Sequence, residues 1–208
     1  SGPITRTVED AALALNALSG YHPGDPYSID DETDFLTGVQ NLIKGKRIAY
    51  SLDFDVFPVE SEIKSVIGAQ VRAFEEVGAI VEPVTLGIKR SQQELSDLWC
   101  RLIIPRNIAT LEAASANGPD LLGEHRKDFP PEYLHWIEEG YKLSAVDFYK
   151  DQEIRTEIFD SIQQVFSNYD FLITPTLACL PVDNADDGNT IGPTQINGEA
   201  VDPLIGWC

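Results

Sequence analysis

The stretch from Lys44 to Thr85 constrains the fold of this chain more than any other. "KGKRIAY" turns apolar and β-prone, giving a short strand over Arg47–Tyr50. "VESEIKSVIGAQVRAFEEVG" follows with a helical rhythm of about five turns. Ile63, Val66, Ile67, Phe74 and Val77 fall on one helical face, and Gly78 is placed to stop the helix. "AIVEPVT" then reads as a second strand. A strand, a helix of that length and another strand form a βαβ unit. Such a unit implies parallel strands joined by a right-handed crossover. An α/β core follows from this one segment.

Other elements flank that unit. Thr7 is a good N-cap for a helix over Val8–Leu18, with Glu9 and Asp10 where the helix dipole is positive. Val8, Ala11, Ala12, Leu15 and Leu18 follow the spacing of one buried face, and Gly20 suits a left-handed stop. A polar, acidic loop is expected from Tyr21 to about Gly45. Ser91 to Asn117 is helical in pattern, broken or kinked at Pro105. A polar connector leads to a short helical piece around Trp136 and Ile137. Ser144 can cap a long helix whose buried stripe would be Phe148, Ile154, Ile158, Ile162 and Phe166, with Arg155 in a structural ion pair. "DFLITP" reads as a fully buried strand stopped by Pro175, and Pro181 to Pro203 as an exposed loop.

Charge and cysteine usage exclude several classes of function. Fifteen Lys and Arg stand against 34 Asp and Glu, a net charge of −19. Nucleic acid and anionic membrane both demand a positive footprint, so neither is expected as a partner. Attraction of cationic substrates, or a salt-rich habitat, is the functional reading of this charge; a solvated acidic surface is the simpler one. No apolar run approaches membrane-spanning length, and no leader pattern opens the chain. Cys100, Cys179 and Cys208 are odd in number and scattered, which fits a reducing cytoplasm and offers no CxxC pair for zinc.

Within the chain no catalytic constellation is legible. There is no Gly-x-Ser-x-Gly elbow and no phosphate-binding Gly-x-x-x-x-Gly-Lys loop. His22, His125 and His135 sit in or beside loops without metal-ligand spacing. Cys179 reads as a small buried hydrophobe rather than an activated thiol. "DNADDGN" places Asp183, Asp187 and Gly188 as a calcium loop would, but fails at Ala185 and at Thr194, where a bidentate Glu belongs. "IDDETD" has the charge without the loop.

Taken in order, "GPITRTVEDAALALNALSG", "GDPYS", "KGKRIAYSLDF" and "FSNYDFLITPT" resemble the amidase signature family. The closing "GEAVDPLIGWC" is similar to the segment before that family's N-x-T-G-x-P region. The resemblance spans Gly2 to Cys208. It implies a mixed, largely parallel β-sheet core flanked by helices. It also implies hydrolysis of small amides to acid and ammonia or amine by a Ser–cis-Ser–Lys triad, with no cofactor and no metal. In the family the nucleophilic serine lies upstream of the G-P-x-x-R-T-V block and the lysine further upstream. By this resemblance the chain is one partial domain, incomplete at both ends. No catalytic residue is then expected within it, and Ser1 has a turn role.

What such a segment would contribute is frame and pocket wall. Ligands of α/β sheets gather at the carboxyl ends of parallel strands. "DFLITPT" ends there, so Thr174 and Thr176 are expected to line the substrate pocket. They could equally just cap the strand. Trp207 falls where the resemblance places the entry to the last pocket-forming loop. Arg6 and Asp10 are expected to tie down the first helix. The expected partner is a small-molecule amide, and a homodimer is compatible with the family. Two other readings stay open. One is the glutamyl-tRNA-dependent amidotransferase's A-type subunit, which shares the first block; the other is a non-catalytic scaffold lacking the triad.

Overall fold

The structure is a computed structural model and describes residues 2–31, 33–186 and 190–206. The chain divides into two compact units, Ser1–Lys44 and Gly45–Cys208.

In the first unit, α1 (Val8–Leu18) begins as its sequence requires: the Thr7 hydroxyl accepts the Asp10 amide at 3.1 Å. A one-turn helix, α2 (Phe35–Gly38), interrupts the acidic loop. Its N-cap is Asp34, whose carboxylate also accepts from the Asn16 side chain of α1 at 2.8 Å; Asn16 in turn accepts the Phe35 amide. The Thr37 hydroxyl, then the Asn16 amide, hold the Asp34 carboxyl down at about 2. Of "IDDETD", Asp34 caps α2 and Asp31 accepts the Thr33 amide in a turn. The expected buried face of α1 is only partly formed: Ala12 is buried, whereas Val8 and Leu18 are each 68% exposed. Within this unit the single turn of α2 packs on α1, too little surface to cover five positions.

The second unit is built on a parallel sheet of order β2-β1-β3, formed by β1 (Arg47–Tyr50), β2 (Ile80–Pro83) and β3 (Phe171–Ile173). Ile48 pairs with Val81 on one side and with Phe171 on the other. The βαβ reading holds, with its helix divided into α3 (Ser61–Gln70) and α4 (Arg72–Glu76) around Val71. Its inward ridge is Ile63, Ile67 and the buried Val71; Val66, Phe74 and Val77 are exposed, one helical step off the expected face. Ala49 packs with Val165 of α7 (Ala145–Phe166), while Tyr50 borders the same cleft as Gly68 of α3. Alternation along β1 thus gives the sheet a helix layer on each face.

The expectation for β3 needs correction. Phe171 is 48% exposed, because among the described residues β3 pairs only with β1 and its other edge is open. The tail also departs from an exposed loop. β4 (Gln195–Ile196) and β5 (Glu199–Ala200) form an antiparallel hairpin that buries Ile196 and Val201 against Val59, Ala178 and Cys179. On α7 the stripe ends at Val165, and Phe166 is 42% exposed. The buried ion pair on this helix is made by Asp151, bidentate to Arg101 at 2.9 and 3.0 Å, while Arg155 is exposed.

Helix α5 (Gln92–Ala116) opens with a full capping box between Ser91 and Glu94 and runs through Pro105 without a break. It packs on α6 (Pro131–Lys142) through Cys100, Ile104, Ile108 and Ile137. Gly140 allows this approach: a Cβ there would sit 2.5 Å from Ile104 Cγ2 and 2.7 Å from Ile108 Cδ1. Gly140→Ala is expected to destabilise the protein by about 1–3 kcal/mol through overpacking, despite the better helix propensity of alanine. A lowered urea midpoint with an unchanged m-value would register it.

Candidate functional site at the carboxyl end of the sheet

The chain segments that leave β1 and β3 emerge side by side, since the Ser51 amide donates to the Ile173 carbonyl at 3.0 Å. After β1 the backbone enters a tight turn. The Asp53 carbonyl accepts from the Val56 and Phe57 amides at 3.1 and 2.8 Å. Phe54 and Asp55 both lie in the left-handed region, with φ of 53° and 65°. Two adjacent non-glycine residues there cost on the order of 1–2 kcal/mol each. The Asp55 carboxylate offsets this by accepting the Leu86 and Gly87 amides at 2.6 and 3.1 Å. Lys64 of α3 donates to Asp53 at 2.5 Å. The turn holds Phe54 and Phe57 edge to face, ring centroids 6.4 Å apart at 85°.

After β3 the chain passes through Thr174, Pro175 and Thr176 and then dives into the core at Ala178 and Cys179. It is fixed there by Glu60, whose amide donates to the Ala178 carbonyl at 2.8 Å and whose carboxylate accepts the Leu180 amide at 3.0 Å. Asn197 at the tip of the β4–β5 hairpin donates to the Val59 carbonyl. Between the two exits lies a cleft of about 170 Å³, bordered by Leu52, Phe54, Phe57, Pro175, Thr176 and Leu177. Thr176 lies in its wall. Thr174 is half-buried one step earlier and is not in the lining, and Trp207 lies outside the described residues. The cleft walls are mainly apolar, with the Thr176 hydroxyl and the ion-paired Asp53 as polar groups.

The other potentially reactive side chains do not gather here. His22 accepts the Gly24 amide through Nδ1 at 3.1 Å, and His125 Nδ1 lies 3.0 Å from Asp128. His135 belongs to α6, with its ring edge-on to Trp136. A larger hollow of about 610 Å³ runs along α5 and α6 past Arg101, His135 and Trp136. Cys179 is buried in the hairpin cluster. No group of three or more His, Cys, Asp or Glu suited to a metal occurs among the described residues. Asp187 and Gly188 of the calcium-like stretch lie outside them. Phe54, Asp55 and Phe57 escaped the sequence reading; the signal for them was a run of aromatics directly after a strand at its carboxyl end.

Burial raises the Asp53 carboxyl, but the Lys64 hydrogen bond and the Asp55 amide outweigh it, and the group titrates below its ordinary value. A depressed carboxyl stabilises the fold above its unfolded pKa of about 3.9, and that contribution is lost as pH falls through the lower folded value. Both partners are about a third exposed, 35% and 34%, so solvent screening limits the pair. Asp53→Asn is expected to cost roughly 0.5–1 kcal/mol at pH 7. The difference from wild type should shrink when urea unfolding is repeated at pH 3.

A family model described as Amidase matches residues 1–201. An amidase of Pseudomonas putida is 30% identical over 192 residues, covering 91% of this chain and 38% of that protein. The A-type subunit of the glutamyl-tRNA(Gln) amidotransferase of Halothermothrix orenii is 31% identical over 194 residues, covering 84% of this chain and 40% of that protein. The crystal structure of a bacterial aryl acylamidase of the amidase signature enzymes superposes over 100% of this chain and 42% of its own length, with a TM-score of 0.94 and 49% identity. The chain thus spans about two fifths of the length of the relatives it matches. A family match over nearly every residue, joined to a parallel sheet flanked by helices that superposes on such an enzyme, shows that this chain belongs to the amidase signature family.

Proposed function

We propose that this chain is part of an amidase that cleaves the carbon–nitrogen bond of small amides, giving a carboxylic acid and ammonia or an amine. The observation that carries this reading is the apolar cleft at the carboxyl end of the sheet, in a chain whose family is established. We read the chain as the part of the amidase domain that lies C-terminal to the family's signature motif, with the triad upstream of it. Thr174, Thr176 and Trp207 are assigned to the substrate side of this frame.

The division of labour is chemically reasonable. An amide is a poor electrophile, so the attacking serine must be deprotonated by a base, in this family a lysine acting through a second serine. Backbone amides hold the oxyanion of the tetrahedral intermediate. The acyl-enzyme then forms with release of the amine, and water regenerates the serine. The present segment supplies rigid walls that orient the amide and exclude water, which raises the effective concentration of the reacting groups. It works without a cofactor, and its thiol content suits a cytoplasmic enzyme.

An amidotransferase component of the A type is the second reading, favoured by the 31% identity to the Halothermothrix orenii protein. The 49% identity to an aryl acylamidase weighs toward a stand-alone amidase. The full-length protein, purified and incubated with small amides, is expected to release amine or ammonia with serine-dependent turnover, while residues 1–208 alone release none. Turnover by the isolated chain would refute the triad assignment. Co-purification of a tRNA-binding partner, with ammonia released from glutamine only, would establish the amidotransferase instead.

A further inference from the structure

The β4–β5 hairpin turns on Asn197 and Gly198, both at positive φ, 52° and 83°. The dipeptide that favours such a turn also sets an electrophile beside a nucleophile. The electrophile is the amide carbon of the Asn197 side chain, and the nucleophile is the Gly198 backbone nitrogen. Both residues are exposed. A Cβ at Gly198 would meet nothing within 4 Å, and among the described residues no acceptor is bonded to its amide. Asparagine is thermolabile, and a following glycine removes the steric barrier to attack on its side chain.

Asn197 also ties together distant parts of the chain. Its Nδ2 donates to the Val59 carbonyl at 2.9 Å, across 138 residues of sequence. Val59 is 4% exposed and forms one apolar cluster with Ala178, Cys179, Ile196 and Val201. Glu60, the next residue, holds the Leu180 amide with its carboxylate. A second Asn-Gly pair, Asn117–Gly118, is alike in covalent structure but not in reach. Asn117 donates to the Ala113 carbonyl of the helix that it ends.

We propose that Asn197 is a site of spontaneous deamidation, and that its conversion releases the β4–β5 hairpin from Val59. The Gly198 nitrogen, its proton lost to hydroxide, bonds to Asn197 Cγ. The Cγ–Nδ2 bond breaks, and ammonia leaves with a proton from water, closing a cyclic imide. Water then opens the ring: cleavage of the nitrogen bond to Cγ gives aspartate, and cleavage of the bond to the backbone carbonyl carbon gives isoaspartate. With a side-chain pKa of about 3.9 for aspartate, the product is a carboxylate at neutral pH. It has no proton to donate to the Val59 carbonyl, and it adds negative charge beside Glu60. Isoaspartate also lengthens the backbone by a methylene, which a two-residue turn does not accommodate. Because the bond to Val59 restrains the Asn197 side chain, the reaction proceeds faster from opened hairpin tips.

The full-length protein is held at pH 9 and mapped by peptide mass spectrometry, with a urea-unfolded sample as the chemical reference. Conversion is expected at Asn197 in both, slower in the folded sample, with aspartate and isoaspartate both formed. Cys179, 3% exposed in the hairpin cluster, and Cys100, 0% exposed in the cluster between α5 and α6, report the consequence through their rates of alkylation. As Asn197 converts, Cys179 labelling should rise on the order of fivefold, the factor for one lost hydrogen bond, while Cys100 holds. Asn197→Asp should show the faster labelling from the start. Asn197→Gln, whose longer side chain closes the imide far more slowly, should not change with time. Conversion at Asn117 should leave Cys179 unaffected. An Asn197 still intact in the folded protein once the unfolded reference has converted would overturn the site. Unchanged Cys179 labelling in converted protein and in a folded Asn197→Asp would overturn the release. A matching rise at Cys100 would overturn it too, since that reports global unfolding.

Discussion

Among the described residues, strand β1 is the one strand of the sheet with a neighbour on each side, and the second unit is organised by that fact. Ile48 and Ala49 are buried to 2% and 0% exposure because backbone partners flank them and helices cover both faces. The register is set at the amino end by Asp170. Its carboxylate accepts from Lys46 at 2.7 Å and from the Arg47 amide at 2.8 Å, while its own amide donates to the Arg47 carbonyl. Because side chains alternate along a strand, a one-residue slip would turn Ala49 away from α7 and put Ile48 in its place. Fixing that pairing fixes where the two exits emerge, and hence where the cleft opens.

The cleft inherits its rigidity from segments distant in sequence. Glu60, just before α3, grips the chain after β3 through both its amide and its carboxylate. The β4–β5 hairpin closes over the same place through Ile196, Val201 and the Asn197 side chain. Each of these contacts joins a β1-side residue to a β3-side or tail residue. The walls therefore move together with the sheet rather than as independent loops. A surface built in this way suits recognition by fit better than by rearrangement.

How much of this was legible beforehand varies with the physics of each part. The βαβ unit, the capped starts of α1 and α7, and the parallel core are local in origin, encoded by spacing and cap residues within a few turns. The inward face of α3 and α4 was read only in part: Ile63 and Ile67 turn inward as expected while Val66, Phe74 and Val77 are exposed, since sequence periodicity marks apolar positions but not which of them meets a sheet. The burial expected of "FLI" failed because composition cannot reveal that an edge lacks a neighbour. The hairpin at Asn197–Gly198 was taken for exposed loop although it carries a signal: Asn-Gly between β-prone residues favours a two-residue turn, and both residues have positive φ, 52° and 83°. The polar residues around it hid the signal. The position of Thr176 just past a strand end was readable, whereas the pairing of Asp55 with amides some thirty residues on depends on tertiary contact alone.

Pairing across 124 residues between Lys46 and Asp170 also sets an order of events on the ribosome. β2 follows β1 closely, but β3 is made only much later. At about 5–20 residues per second, one side of β1 stays without its strand for roughly 6 to 25 seconds. An apolar strand edge left open that long is a template for pairing with other nascent chains. The acidic composition of the chain works against such encounters, since like-charged polypeptides repel before their edges can meet. A net charge of −19 can thus protect the protein during synthesis, before any substrate is bound.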